Sequence, residues 1–176
     1  MLCERDWIER KEKTVDKLTF ISRLKKTRAQ WETELAQMNG QRMLQPGIVG
    51  SWSVKDLIAH VSWYEREMVP VIRLHIFTGS ELWELPADER NEKIYQQNIQ
   101  RPLQEIIDEG QRSYSDLLAV LQSLSDEDLN DPLRFRDMPE DWVPWQIFAG
   151  NSFEHYQDHL PALHTWITDG QENSIM

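Results

Sequence analysis

The chain has a single cysteine, Cys3, among 176 residues, so it holds no intramolecular disulfide framework and no cysteine-type zinc site. Glycine is scarce, seven in all, which disfavours a sheet-rich fold with many tight turns. Positive charge is in the minority: nineteen Lys and Arg stand against thirty Asp and Glu, for a formal net charge of −11 and a pI near 4.9. A nucleic-acid surface needs clustered Lys and Arg, so the expectation is a protein with no nucleic-acid partner. No apolar run approaches the ~18 residues of a membrane span, and the opening "MLCERDWIERKEK" is too charged for a secretory signal. The expected setting is cytoplasmic, with no membrane partner.

What is present is ordinary for a globular protein, 40% apolar and 28% charged residues, except for eight tryptophans that give a core bulky groups to pack around. A chain of 20.9 kDa fits one domain that buries roughly 68–70% of its unfolded surface. We expect one helical domain over residues 1–176, with about twelve N-terminal and about six C-terminal residues loose.

Helical periodicity dominates. The first segment runs from Thr14 to Met38, with Val15, Leu18, Ile21, Leu24, Trp31 and Leu35 in one stripe, and stops at Asn39-Gly40. The second begins at Ser53, an N-cap with Asp56 three residues on, and repeats Leu57, Ile58, Val61, Met68 and Ile72 up to Gly79. Pro70 is expected to kink it. The third runs from Asp88 to Ser123, with a break expected at Gln100–Arg101 before Pro102. "SDEDLNDPLRFRDMPEDWVP" reads as a long irregular connection of the kind that lines or covers sites. The fourth starts at Pro144 and continues to Thr168, with a bend expected at Pro161. The fold class is all-α, a four-helix bundle.

In "NSFEHYQDHL" the residues His155 and His159 lie one helical turn apart, on the face that a bundle buries together with Phe148, Ser152 and Leu163. Buried imidazoles need partners; a shared metal ion is one solution, and hydrogen bonds to a neighbouring carboxylate are another. His60, between Leu57 and Tyr64 at helical spacing, can meet the pair from the second helix, and neutral imidazole is a common ligand for zinc, nickel or iron. His75 lies roughly 20 Å further along that helix, and His164 is rotated off the shared face by about 140°, so neither joins.

For acid–base or orienting work the candidates in reach are Glu67, Glu154, Asp158 and Asn151. Trp63, Tyr64, Trp142, Trp145 and Tyr156 are core residues or a substrate pocket, and Asn91, Tyr95 and Asn98 are a hydrated face or a polar edge of the same cavity. No GxGxxG, phosphate loop or nucleophile motif competes. The acidic "DEDLNDPLRFRD" lacks the glycine and terminal glutamate of a calcium loop.

The stretches "GSWSVKDLIAHVSWYEREM" and "PWQIFAGNSFEHYQDHLPALHTWI" resemble the DinB-like superfamily of four-helix bundles, over about Thr14 to Asp169. Damage-inducible proteins, thiol-dependent transferases, maleylpyruvate isomerases and colibactin self-resistance hydrolases belong to that superfamily. The resemblance implies a metal triad, here His60, His155 and His159, and a long crossover between helices two and three, which "TGSELWELPADERN" fits. It implies a divalent metal cofactor, a homodimer, and a small-molecule ligand, with a thiol among the candidates. Tyr64, Glu67, Asn151 and Trp142 are the expected pocket residues. No thiol-cofactor motif is present, and the catalytic residues of the self-resistance hydrolases find no match. The function expected is therefore a metal-dependent hydrolase or thiol transferase acting on a small, stress-related molecule. The alternatives are a non-catalytic metal or ligand binder and a dimeric scaffold with a vestigial site.

Overall fold

The structure, a computed structural model, describes residues 14–172. In chain order its α-helices are α1 (Lys17–Leu35), α2 (Gly40–Leu44), α3 (Val54–Leu74), α4 (Ala87–Asn98), α5 (Leu103–Ser123), α6 (Asp126–Asn130), α7 (Pro144–Gly150) and α8 (Phe153–Glu172). Among the described residues β-structure is limited to two isolated bridges. The loose ends expected at the two termini, and Cys3, lie outside the described residues apart from the last turn of α8. No described helix is long and apolar enough to cross a membrane.

The bundle consists of α1, α3, α5 and α8, with α1 lying along α8 and α3 along α5. The stripes read from the sequence supply its core. Phe20 meets Phe153 edge-on at 5.2 Å, and Trp31 tilts against Tyr156 at 5.2 Å. Leu24, Leu57, Met68, Ile72, Leu117 and Leu121 are fully buried beside them, each worth roughly 1.5–3 kcal/mol of apolar burial. Gly110 lets α5 approach α3 closely, since a Cβ there would sit 3.1 Å from Ile58 Cγ2 and from Ser62 Oγ.

Local chemistry starts α3 where the sequence placed it. The Ser53 hydroxyl accepts from the Asp56 N–H, while the Asp56 carboxylate accepts from the Ser53 N–H at 2.9 Å. Lys55, just before Asp56, is buried because its ammonium donates to the carbonyls of Asn98, Ile99 and Arg101 at 2.8–3.3 Å. Those carbonyls are left over where α4 ends. One lysine thus ties the start of the histidine-bearing helix to the break before Pro102, the break the sequence predicted.

The structure differs from expectation in three places. First, α3 stops at Leu74 rather than Gly79, because His75 takes the left-handed conformation at φ 51° and the Ile76 N–H bonds back to Val71. Second, the segment after Pro144 is two helices. Asn151 and Ser152 turn their side chains back onto the Ile147 and Phe148 carbonyls, which competes with a continuous helical ladder. Third, residues 124–143 are structured: α6 carries its own Ser125–Asp128 capping box, and a 3-10 turn follows at Pro132–Arg134. Asn130 exchanges two hydrogen bonds with Val15 and clamps the start of α1. Pro70 and Pro161 stand inside helices that run on past them.

The crossover from α3 to α4 is pinned at both ends. Phe77 N–H donates to Arg136 and Arg136 N–H to His75, at 2.7 and 2.9 Å, which joins it to the α6–α7 connection. A 3-10 turn at Glu81–Glu84 then lays Trp83 on Trp63 and Tyr64, at 5.3 and 5.6 Å.

Candidate metal centre

His60 sits on α3 two turns after its cap, and His155 and His159 lie on adjacent turns of α8. The three rings converge, with centroids 4.7 Å apart for His60–His155, 5.2 Å for His60–His159 and 4.9 Å for His155–His159. One ring nitrogen from each lies within 4.8 Å of the other two, and the Nε2 atoms of His60 and His155 approach to 2.9 Å. His60 and His155 are buried and His159 is half-buried, so the cluster is reached from the His159 side.

Burial holds the His60 imidazole well below its ordinary pKa, reinforced by the charges of His159 and Arg90, and burial pulls His159 down to about 4. These two rings are therefore neutral at physiological pH, which is the ligand form. The buried Nε2 of His159 has no hydrogen-bond partner among the described residues, and an orphaned buried nitrogen is expensive unless something else occupies its lone pair. Three convergent imidazoles, two of them held neutral and one with its Nε2 uncommitted, fit a divalent cation that prefers nitrogen donors.

Aromatic and polar groups surround the cluster. The Tyr64 ring stands edge-on to His155 at 4.7 Å and to His60 at 5.0 Å. Its hydroxyl donates to Asn91 Oδ1 at 3.1 Å and accepts from Arg90 Nε at 3.0 Å. Trp52 lies 5.2 Å from His60 and stacks on Tyr95. Of the polar edge read on the third segment, Asn91 touches Tyr64 and Tyr95 touches Trp52, the two rings that flank the histidines. Asn98 bonds elsewhere, to Ile94 and Arg101.

Of the other predicted pocket residues, Tyr64 is at the cluster and three are engaged elsewhere. Glu67 accepts the Ser80 N–H at 2.8 Å and anchors the crossover. Asn151 bonds to Ile147, and Trp142 packs edge-on to Phe77 with 40% of its surface exposed. Glu154 is half-buried and Asp158 exposed. His75 stacks on Phe135, and exposed His164 lies 3.6 Å from Glu34, so both stay outside the cluster as predicted.

Sequence reasoning missed a second constellation beside the first. Glu65, fully buried, accepts from the Tyr156 hydroxyl and from Ser113 Oγ at 2.9 Å. Arg28 donates to that same hydroxyl at 2.7 Å and lies 4.0 Å from Glu65. Burial raises the Glu65 carboxyl to about 7 against the pull of Arg28, Tyr156 and Ser113. The readable signal was a charged residue inside each apolar stripe: Arg28 between Leu24 and Trp31, and Glu65 between Val61 and Met68. A cavity of about 460 Å³ opens between α1, α3 and α5, walled by Trp31, Ile58 and Ile107 with Arg28 and Gln111 among its polar groups; no histidine lines it.

The family model of the DinB superfamily matches residues 23–162. No curated protein matches the chain in sequence. Among solved structures, an uncharacterised protein from Escherichia coli UTI89 superposes with a TM-score of 0.72 at 14% identity, covering 89% of this chain and 95% of that one. The colibactin self-resistance protein ClbS, in complex with a double-stranded DNA, superposes with a TM-score of 0.70 at 14% identity, covering 86% and 94%. Likeness at this identity speaks for the fold. The ClbS complex also corrects the expectation of no nucleic-acid partner, because a protein of this fold is seen on duplex DNA. Net charge is a sum over the whole surface, whereas a phosphate backbone reads the charge it meets locally.

Proposed function

From its membership of the DinB superfamily, we propose that this chain is a divalent-metal-dependent enzyme, hydrolytic or thiol-transferring, acting on a small molecule. His60, His155 and His159 would hold the metal. The observation that carries the reading is the convergence of three imidazoles, with the buried Nε2 of His159 lacking a hydrogen-bond partner among the described residues. Bound there, zinc, nickel or iron supplies a Lewis acid that activates water or a thiol near neutral pH. The chain's own part is positional. Ser53 and Asp56 fix the start of α3, Tyr64 and Trp52 wall the rings, and burial keeps His60 and His159 neutral. His159, half-exposed, leaves an approach for the reactant.

The test is metal content of protein purified without a nickel column, followed by ester-hydrolysis and thiol-conjugation screens of wild type and His159→Ala. Near-stoichiometric metal and turnover, both lost in the variant, support the proposal. Metal without turnover leaves a binder, and wild-type protein that retains no metal refutes it. A homodimer, implied by the family, is checked by light scattering. A second reading takes duplex DNA as the ligand and rests on the ClbS complex. Anisotropy of a labelled duplex tests it, with affinity expected to fall steeply as salt rises.

A further inference from the structure

We propose that Arg90 is an anion seat beside the histidine cluster, so that the molecule acted on carries a carboxylate or comparable acid group a few bonds from its reacting end. This rests on the histidines being the reaction centre, as proposed above.

In a chain with thirty acidic side chains, arginines readily find carboxylates. Arg28 pairs with Glu32, Arg66 with Glu109, Arg101 with Glu105 and Glu109, and Arg134 with Asp128. Arg90 has no such pair among the described residues. Its Nε donates to the neutral Tyr64 hydroxyl at 3.0 Å and its Nη1 to the Trp83 carbonyl at 3.4 Å. Its Cζ lies 4.6 Å from the Trp83 ring centre and 5.5 Å from that of Tyr64. Arg90 is thus half-buried, its guanidinium lies over the Trp83 ring beside Tyr64, two rings set at 88° to each other, and no carboxylate pairs with it among the described residues. A planar guanidinium held this way is pre-organised for an oxyanion.

Its placement supplies the second half of the argument. The same Tyr64 that holds Arg90 at its hydroxyl end holds His60 and His155 against its ring edge, at 5.0 and 4.7 Å. The cation and the imidazoles are therefore one tyrosine ring apart. Asn91 joins the hydroxyl from α4, and Trp52 and Tyr95 stack beside His60. A short acid with its charged end on Arg90 and an apolar middle along these rings would present its other end to the histidines.

Calorimetry on the full-length, zinc-loaded chain tests this with 3-mercaptopropionate and its methyl ester, which share a thiol and differ in the acid. A charge-assisted hydrogen bond predicts that wild type binds the acid roughly 10- to 100-fold more tightly than the ester. Arg90→Gln is expected to bind both equally, with ester affinity unchanged, and Arg90→Lys to keep part of the preference. Equal affinities in wild type, a comparison that needs no variant to fold, overturn the proposal, as does a preference that survives in Arg90→Gln. Zinc content is read separately. If the chain takes up no zinc, the metal reading fails; Arg90-dependent binding of succinate to that zinc-free protein then upholds the seat, and its absence sinks the seat too.

Discussion

Replacing Tyr156 by Phe removes one oxygen from the interior, and the structure dictates both the size of the effect and its pH dependence. That oxygen donates to Glu65, which is 0% exposed, and accepts from Arg28, which is 6% exposed. A hydrogen bond to a charged group contributes about 1.5–3 kcal/mol. Each partner keeps other contacts, Ser113 on Glu65 and Glu32 on Arg28, so the expected loss is about 3 kcal/mol rather than the full sum when Glu65 is ionised. In the folded chain the Glu65 carboxyl titrates at about 7 against an ordinary 4.5. Between those values the unfolded chain releases its proton and the folded chain keeps it, so stability falls as pH rises through this window. Loss of the Tyr156 hydrogen bond, which favours the ionised form, moves the folded titration higher still and extends the fall above pH 7. Near pH 5.5 both folded proteins hold Glu65 protonated, and the variant is expected to lose only about 1.5 kcal/mol. Urea unfolding followed by far-UV circular dichroism near pH 5.5 and pH 8.5 measures the gap at each. A gap that is equal at the two pH values, or larger in acid, would refute the account of a buried carboxyl held against its desolvation.

Free zinc at a thousandfold excess over its Kd should stabilise the wild type by about 4 kcal/mol and His159→Ala by less than about 1 kcal/mol; thermal melts that ignore zinc would count against the site. Ser53→Ala removes the side-chain cap of α3 and should lower stability by roughly 1–2 kcal/mol, read as the urea midpoint at constant slope. Gly79→Ala would drive a methyl into the Trp83 ring. The expected loss is about 1–3 kcal/mol, accompanied by a change in tryptophan emission as Trp83 leaves Trp63. The same change in a Trp83→Ala background should be nearly neutral, and a penalty that persists there would mean the backbone at Gly79, not the ring, is the obstacle.

Much of this protein could be read along the chain because the relevant physics is local. Apolar residues recurring every three or four positions specify amphipathic helices, Ser53 with Asp56 specifies where one begins, and Pro102 specifies a break. His155 and His159 share a face for the same reason, and their pairing with His60 followed from motif likeness and from the need of buried imidazoles for partners. The end of α3 at His75 was not legible, since Gly79 offers the stronger local stop signal and the Ile76–Arg136 bridge that holds the crossover joins residues sixty positions apart. The step at Asn151–Ser152 escaped because two side chains outcompete a helical ladder that the surrounding periodicity favours.

Arg28 and Glu65 show the boundary most clearly. Each stands in an apolar stripe where a charge alone would be ruinous, and only the packing of α1, α3 and α8 brings them to the Tyr156 hydroxyl that both share. The amino-acid order by itself determined four amphipathic rods, their caps and the faces that carry the histidines, because those depend on neighbours within a turn. That the His159 Nε2 and Arg90 lack protein partners for lone pair and charge among the described residues, and that the Glu65 carboxyl is lifted toward neutrality, were decided by the tertiary structure, because burial and charge act between residues that the chain holds far apart.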